Sequence, residues 1–307
     1  MRGWLVSSAG LALVLGATSA HAFCRTTTVA VAPDFQPSKD ACWDMGVPLF
    51  WRNSCVGYSI QRQASRQVSY EDAATQTATA FTKWSGSTCP ADTTGRSRVS
   101  IDVRDLGPVD CGAVDYDTKG PNQNVIVFRD EKWPHEGTSN TLALTTVTFN
   151  PNTGEIYDAD MEVNTFDQRV TLTDPVPENG YDFASIATHE AGHFLGLAHS
   201  GDPRATMYAS YTPGATNMRN LTADDVLGIC TVYTPSGARP VGAADDTAVG
   251  GSCDPTPRRG YTKGCAEETK KSCTGGSHVA SSTSTPWWAL GTIASVIGLA
   301  FIRGRRR

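Results

Sequence analysis

The sequence predicts an α+β fold for the middle of this 307-residue chain. Three observations lead there. An apolar run and a capped helical pattern come first; a cluster of β-like runs follows; a second capped helix, rich in histidine, comes after them. Strand, helix, several strands and helix is an α+β order.

The elements follow in turn. Residues 1–22 hold an early Arg2, an apolar run through Leu15, and Ala20-His21-Ala22 in the pattern of a cleavage site, which reads as a secretory signal peptide cut before Phe23. Cys24 follows at once. Ala22-Phe23 lacks the small residue expected before a lipidated cysteine, so Cys24 reads as a structural thiol. From Val47 to Arg62, apolar and aromatic density ending in Val56-Gly57-Tyr58-Ser59-Ile60 predicts a first strand. Ser69-Tyr70-Glu71-Asp72 has the form of a capping box and opens a helix with Tyr70, Ala73, Ala74, Thr77, Phe81 and Trp84 on one face. It ends at Ser85-Gly86-Ser87. Strands are predicted over 99–103, 124–128, 142–149 and 155–163, with Asn150-Pro151-Asn152-Thr153-Gly154 turning between the last two. Asp182 can cap the next helix, whose buried stripe is Phe183, Ile186, Ala187, Ala191 and Phe194, and Thr222 caps a final helix running to about Tyr233.

The histidine helix carries the chemistry. It reads His189-Glu190-Ala191-Gly192-His193-Phe194-Leu195-Gly196-Leu197-Ala198-His199. His189 and His193 are one helical turn apart, so both imidazoles leave the same face and can bind one metal ion. Gly196 permits a left-handed helix end that swings His199 round as a third nitrogen ligand. Three neutral imidazoles and one open position suit a catalytic zinc, with Glu190 beside them as general base. A chance match to this pattern is expected in on the order of one chain in a hundred thousand, so a buried helix that merely contains histidines is set aside.

Eight residues after His199, Met207 stands in Ala205-Thr206-Met207-Tyr208-Ala209-Ser210-Tyr211. The long zinc motif followed by this methionine resembles the metzincin metallopeptidases. The Met-Tyr pair and the Leu221–Ile229 helix resemble the matrixin, or matrix-metalloproteinase-like, branch. The resemblance runs from about Ser69 to Tyr233. It implies a metzincin-like zincin: a twisted mixed sheet, an active-site helix, a Met-turn at Met207 beneath the zinc ligands, and a C-terminal helix. It also implies that Leu142–Phe149 is an edge strand pairing with an extended substrate through Ala143 and Leu144, against the competing reading of a plain internal strand. Tyr208 and Tyr211 then belong to the loop that walls the pocket after the scissile bond. Matrixins often carry a second, structural zinc, but of six histidines only His135 is left over inside the domain, so no second His-rich site is expected. Asp158, Asp160 and Glu162 alternate along one strand and can offer oxygen ligands to calcium, or form a solvated acidic strand face. A latency motif of the Pro-Arg-Cys-Gly type is absent. Cys42, ahead of Met45-Gly46-Val47-Pro48, stands in a loosely similar context but is read as a disulfide partner.

Composition sets the compartment. Five of the 26 basic residues lie in 1–22 and 287–307, which hold no acidic residue, so the remainder has 21 basic against 31 acidic and a net charge of −10. That balance argues against a nucleic-acid partner. All nine cysteines lie beyond the signal, where disulfides persist. Cys24, Cys42, Cys55, Cys89, Cys111 and Cys230 can close three bonds among themselves in any pairing, and Cys253, Cys265 and Cys273 leave one over.

From Pro235 the composition turns to Gly, Pro, Ser, Thr and charge, and Pro235–Pro286 reads as a flexible stalk held by one disulfide. Trp287–Ile302 is an uncharged run of 16 residues before Arg303-Gly304-Arg305-Arg306-Arg307. As a helix it spans roughly 24 Å, short of a usual bilayer. With Cys273 it resembles a myxobacterial-type C-terminal sorting signal; a permanent membrane anchor is the alternative.

The expected layout is signal peptide 1–22, catalytic domain 23–234, Cys-containing stalk 235–286, and hydrophobic helix with arginine cluster 287–307. The expected protein is a monomeric zinc endopeptidase acting on protein or peptide substrates, exported to the cell surface or beyond and touching the membrane through its C-terminal helix. The alternative is a non-catalytic zinc-binding surface adhesin or interaction module.

Overall fold

The computed structural model describes residues 22–265 except 33, 136–139 and 243–245, together with the backbone of 298–300. Its centre is a mixed sheet. In chain order the elements are β1 (Cys55–Gln61), α1 (Tyr70–Ser85), β2 (Asp102–Val109), β3 (Val125–Phe128), β4 (Thr141–Phe149), β5 (Ile156–Val163), α2 (Phe183–Phe194) and α3 (Ala223–Val232). Three short strands follow: β6 (Ala238–Pro240), β7 (Thr247–Val249) and β8 (Gly298–Ala300). The sheet runs β8-β4-β5-β3-β1-β2. β2, β1, β3 and β5 are mutually parallel, whereas β4 is antiparallel to β5. The α+β expectation holds.

α1 forms where the sequence places it, with the Ser69 hydroxyl accepting from the Asp72 amide at 3.2 Å. Its apolar face meets α2: Trp84 Nε1 donates to the Thr188 carbonyl at 2.8 Å, and Phe81 and Phe194 pack edge to face at 5.0 Å. Ile60, Phe81, Trp84, Ile126, Val147, Ile186 and Phe194 belong to one buried cluster between sheet and helices. Each such side chain contributes about 1.5–3 kcal/mol of burial.

Three expectations are corrected. The stalk is the first. Much of 235–265 is laid against the domain: β6 and β7 form an antiparallel hairpin, Cys55 pairs with Cys253, and Cys111 with Cys265. Arg239 in β6 is buried and donates to the carbonyls of Trp51 and Ser100, each at 3.0 Å. The segment reads as a linker because disulfides and side-chain-to-carbonyl bonds anchor it, and neither leaves an apolar period. Residues 266–286, with Cys273, lie outside the described residues.

The cysteine pairing is the second. Cys24–Cys42 and Cys89–Cys230 close within the expected six, but Cys55 and Cys111 take partners from the tail.

The hydrophobic helix is the third. Gly298–Ala300, inside the run expected to be helical, is a strand antiparallel to β4, with Gly298 opposite Leu144 and Ala300 opposite Thr141. An edge strand presents unpaired amides and carbonyls that an adjacent chain segment can satisfy. Among the described residues no helix is long and apolar enough to cross a membrane, and the rest of 287–307, like the signal-peptide stretch 1–21, lies outside them.

β2 also departs from its predicted place at 99–103. Val99 and Ile101 are core residues, but the strand begins at Asp102 and runs to Val109 at the sheet's outer edge, where exposed Arg104 and Asp105 and then Gly107-Pro108 interrupt the apolar pattern.

Candidate metal centre

α2 positions the first two histidines. Asp182 caps it, accepting from the Ser185 amide at 2.9 Å and from the Arg219 guanidinium through two bonds of 2.9 Å. His189 and His193 project from its last turns, buried at 0% and 1% exposure. The helix stops at Leu195, and Gly196 follows at φ +91°. A Cβ there would stand 2.8 Å from the Leu49 carbonyl oxygen, so glycine is required for both the turn and the close approach. The reversal delivers His199. One ring nitrogen from each of the three histidines lies within 4.8 Å of the others, the one such metal-binding group of three among the described residues.

The donor set fits a zinc ion. His189 Nδ1 donates to the Thr206 carbonyl at 2.6 Å and His193 Nδ1 to the Leu197 carbonyl at 2.8 Å. Those bonds fix the tautomers and leave each Nε2 as a lone pair. The two Nε2 atoms face each other at 3.0 Å, and His199 Nε2 is buried without a hydrogen-bond partner. Facing lone pairs repel unless a cation lies between them. Burial also holds all three rings neutral: it pushes His199 down to about 4 and His189 and His193 well below the usual imidazole range.

Glu190 is buried at 1% exposure. Burial pushes its carboxyl up to about 8, while a hydrogen bond from Thr145 Oγ1 to Oε2, 2.6 Å long, pulls the other way. Oε1 has no hydrogen-bond partner. Met207 packs under α2: a Cβ built on Gly192 would lie 2.3 Å from Met207 Sδ and 2.9 Å from the Trp84 ring. Gly192 is thus fixed by packing.

Other predicted residues divide. β4 lies between β5 and the three-residue β8, so it is not the free edge strand that the resemblance implied but the internal strand of the competing reading. The side chains of Ala143, Leu144 and Tyr211 are buried, so they do not line an open surface; both faces of β4 are covered from Thr141 to Thr145, and the Tyr211 hydroxyl donates to the Ala215 carbonyl. Tyr208 is half-buried. Asp158, Asp160 and Glu162 form neither a solvated face nor a calcium cluster among the described residues. The face of β5 that carries them is covered, and all three are buried: Asp160 Oδ1 accepts from the Val125 amide at 2.7 Å, and Glu162 is held by Arg129 at 2.6 Å and His135 at 2.7 Å.

Two residues escaped the sequence reading. Thr145 looked like one polar position in an apolar strand. Asp225, legible only as a capping-box member of α3, also accepts from the backbone amides of Thr206 (2.9 Å) and Met207 (3.0 Å), tying the Met207 turn to α3.

Residues 119–234 match the family model described as Matrixin. The chain is 40% identical over 103 residues to Matrilysin of Homo sapiens, covering 34% of this chain and 35% of that protein. It is 37% identical over 103 residues to Metalloendoproteinase 1-MMP of Arabidopsis thaliana (34% and 26% covered) and 38% identical over 100 residues to Neutrophil collagenase of Homo sapiens (33% and 19% covered). The chain thus spans about a third or less of the length of these relatives. The matched region is matrixin-like and metzincin-like in sequence and in fold.

Proposed function

We propose that this matrixin-like chain is an exported, zinc-dependent endopeptidase that hydrolyses peptide bonds of protein substrates. The observation that carries the reading is the convergence of three neutral imidazoles, two with facing Nε2 lone pairs at 3.0 Å, beside a buried glutamate on the same helix. His189, His193 and His199 hold the zinc, and Met207 supports them from beneath. Held there, a zinc ion would supply Lewis-acid chemistry to the scissile carbonyl and to the attacking water. Glu190 accepts that water's proton and returns it to the departing amine. An extended substrate adds to the outer edge of β4 by main-chain hydrogen bonds, the position that Gly298–Ala300 take here. Relatives named as a matrilysin, a collagenase and a metalloendoproteinase support the peptide-bond reading. The signal-like segment 1–22 and the four disulfides support export.

The test is cleavage of casein by the oxidised, zinc-loaded chain, with and without a chelator, and by Glu190→Gln. Chelator-sensitive cleavage that falls by about 10²–10⁴-fold in Glu190→Gln is expected. A folded, zinc-loaded chain that cuts nothing would instead favour a zinc-binding surface module.

A further inference from the structure

We propose that Thr145 is a positioning residue for Glu190: its hydroxyl holds one carboxylate oxygen so that the other is left for the attacking water. The inference rests on Glu190 acting as the general base.

Thr145 is 0% exposed, in the middle of β4 opposite Met161 of β5. Its one hydroxyl proton has two acceptors in reach, Glu190 Oε2 at 2.6 Å and the Glu190 carbonyl at 3.4 Å. The shorter contact, to a carboxylate oxygen, takes it. Oε1 is buried and receives nothing, so the carboxylate has one satisfied oxygen and one available oxygen.

The arrangement fixes direction as well as satisfying a buried acid. A glutamate carboxylate turns about its last torsion over a broad, roughly two-fold well, so burial alone does not choose which oxygen faces the water. Threonine is stiff at χ1, and here its Cβ is set by a strand laddered to β5. A rigid element therefore determines the plane of the base. The same strand offers its outer edge to the substrate in the proposed mode. Thr145 thus couples the position of Glu190 to the element that sets substrate register, which a hydrogen bond from a loop or from water would not do.

The test compares Thr145→Val, which is nearly isosteric but lacks the hydroxyl, with Thr145→Ala and Thr145→Ser, in the full zinc-loaded chain. With a fluorogenic peptide, Val and Ala are expected to lower kcat by about ten- to a hundredfold, the range for losing a hydrogen bond to a charged group, with KM within about threefold. Ser is expected to recover kcat to within about threefold of wild type. Zinc affinity, by competition with a chromophoric chelator, should not move. Binding of a peptide hydroxamate, whose hydroxyl needs a carboxylate partner, should weaken about tenfold in Val without any turnover being involved. If Val does not keep its near-ultraviolet circular dichroism, Ala decides. The inference is overturned if the folded variant lacking the hydroxyl keeps kcat within threefold, or if Ser falls as far as Val. Should the wild type itself cleave nothing while zinc-loaded, the endopeptidase reading fails and takes this one with it. Normal wild-type activity, loss in Glu190→Gln and no effect in Thr145→Val would remove the positioning role alone.

Discussion

Asp225→Asn should loosen the floor of the metal centre from a distance. Asp225 is 1% exposed, and its carboxylate receives four donors: the amides of Thr206 and Thr222 and the Thr222 hydroxyl on Oδ2, and the amide of Met207 on Oδ1. Asparagine keeps one oxygen. The cheaper orientation leaves that oxygen where Oδ2 was and turns the new NH2 toward the Met207 amide, so two donors face each other. An unsatisfied buried amide costs about 1–3 kcal/mol, and the remaining bonds lose their charge reinforcement, so a destabilisation of about 3–4 kcal/mol is expected. Because Thr206 also accepts from His189 Nδ1, part of the loss should appear as weaker zinc binding. The assay is urea unfolding of the oxidised, zinc-loaded chain, with zinc affinity measured by chelator competition. A variant within about 1 kcal/mol of wild type and with unchanged affinity would refute the claim that Asp225 ties the Met207 turn to α3.

Three further outcomes are expected. Chelating the metal should lower unfolding free energy, since an ion that binds only the folded state contributes about 4 kcal/mol at a thousandfold excess over its Kd; an unchanged melting profile would contradict a native-state site. Burial pushes the Asp158 carboxyl up to about 7 and raises that of Asp160 well above the usual range. Folded values above unfolded ones mean that the stability the pair contributes is complete below about pH 4 and is lost as pH rises toward 7, so Asp158→Asn should gain on wild type across that window in unfolding experiments. A constant difference from pH 4 to 8 would refute it. Removing 287–307 should lower KM for a peptide substrate several-fold, because β8 occupies the outer edge of β4; an identical KM would show that the edge is not where substrate binds.

The three-histidine cluster was legible because its signal is local. A helix converts a spacing of four into one face, and Gly196 converts three more residues into a reversal, so the geometry follows from neighbours in the chain. The features that stayed hidden depend on groups distant in sequence. Thr145 meets Glu190 across 45 positions, and the cysteines of the tail cross 198 and 154 positions to reach Cys55 and Cys111. Nothing about a lone threonine in an apolar strand distinguishes packing from positioning, and spacing cannot choose among cysteine pairings. The acidic alternation of Asp158, Asp160 and Glu162 misled for a related reason. Period two assigns three side chains to one face, but whether that face meets water depends on what covers the sheet, and here the face is covered and the acids are buried, Glu162 beneath Arg129. Local pattern therefore locates the histidines of the candidate metal centre, while the residues that hold them and Glu190 in place emerge only from the packing between β4, α2 and α3.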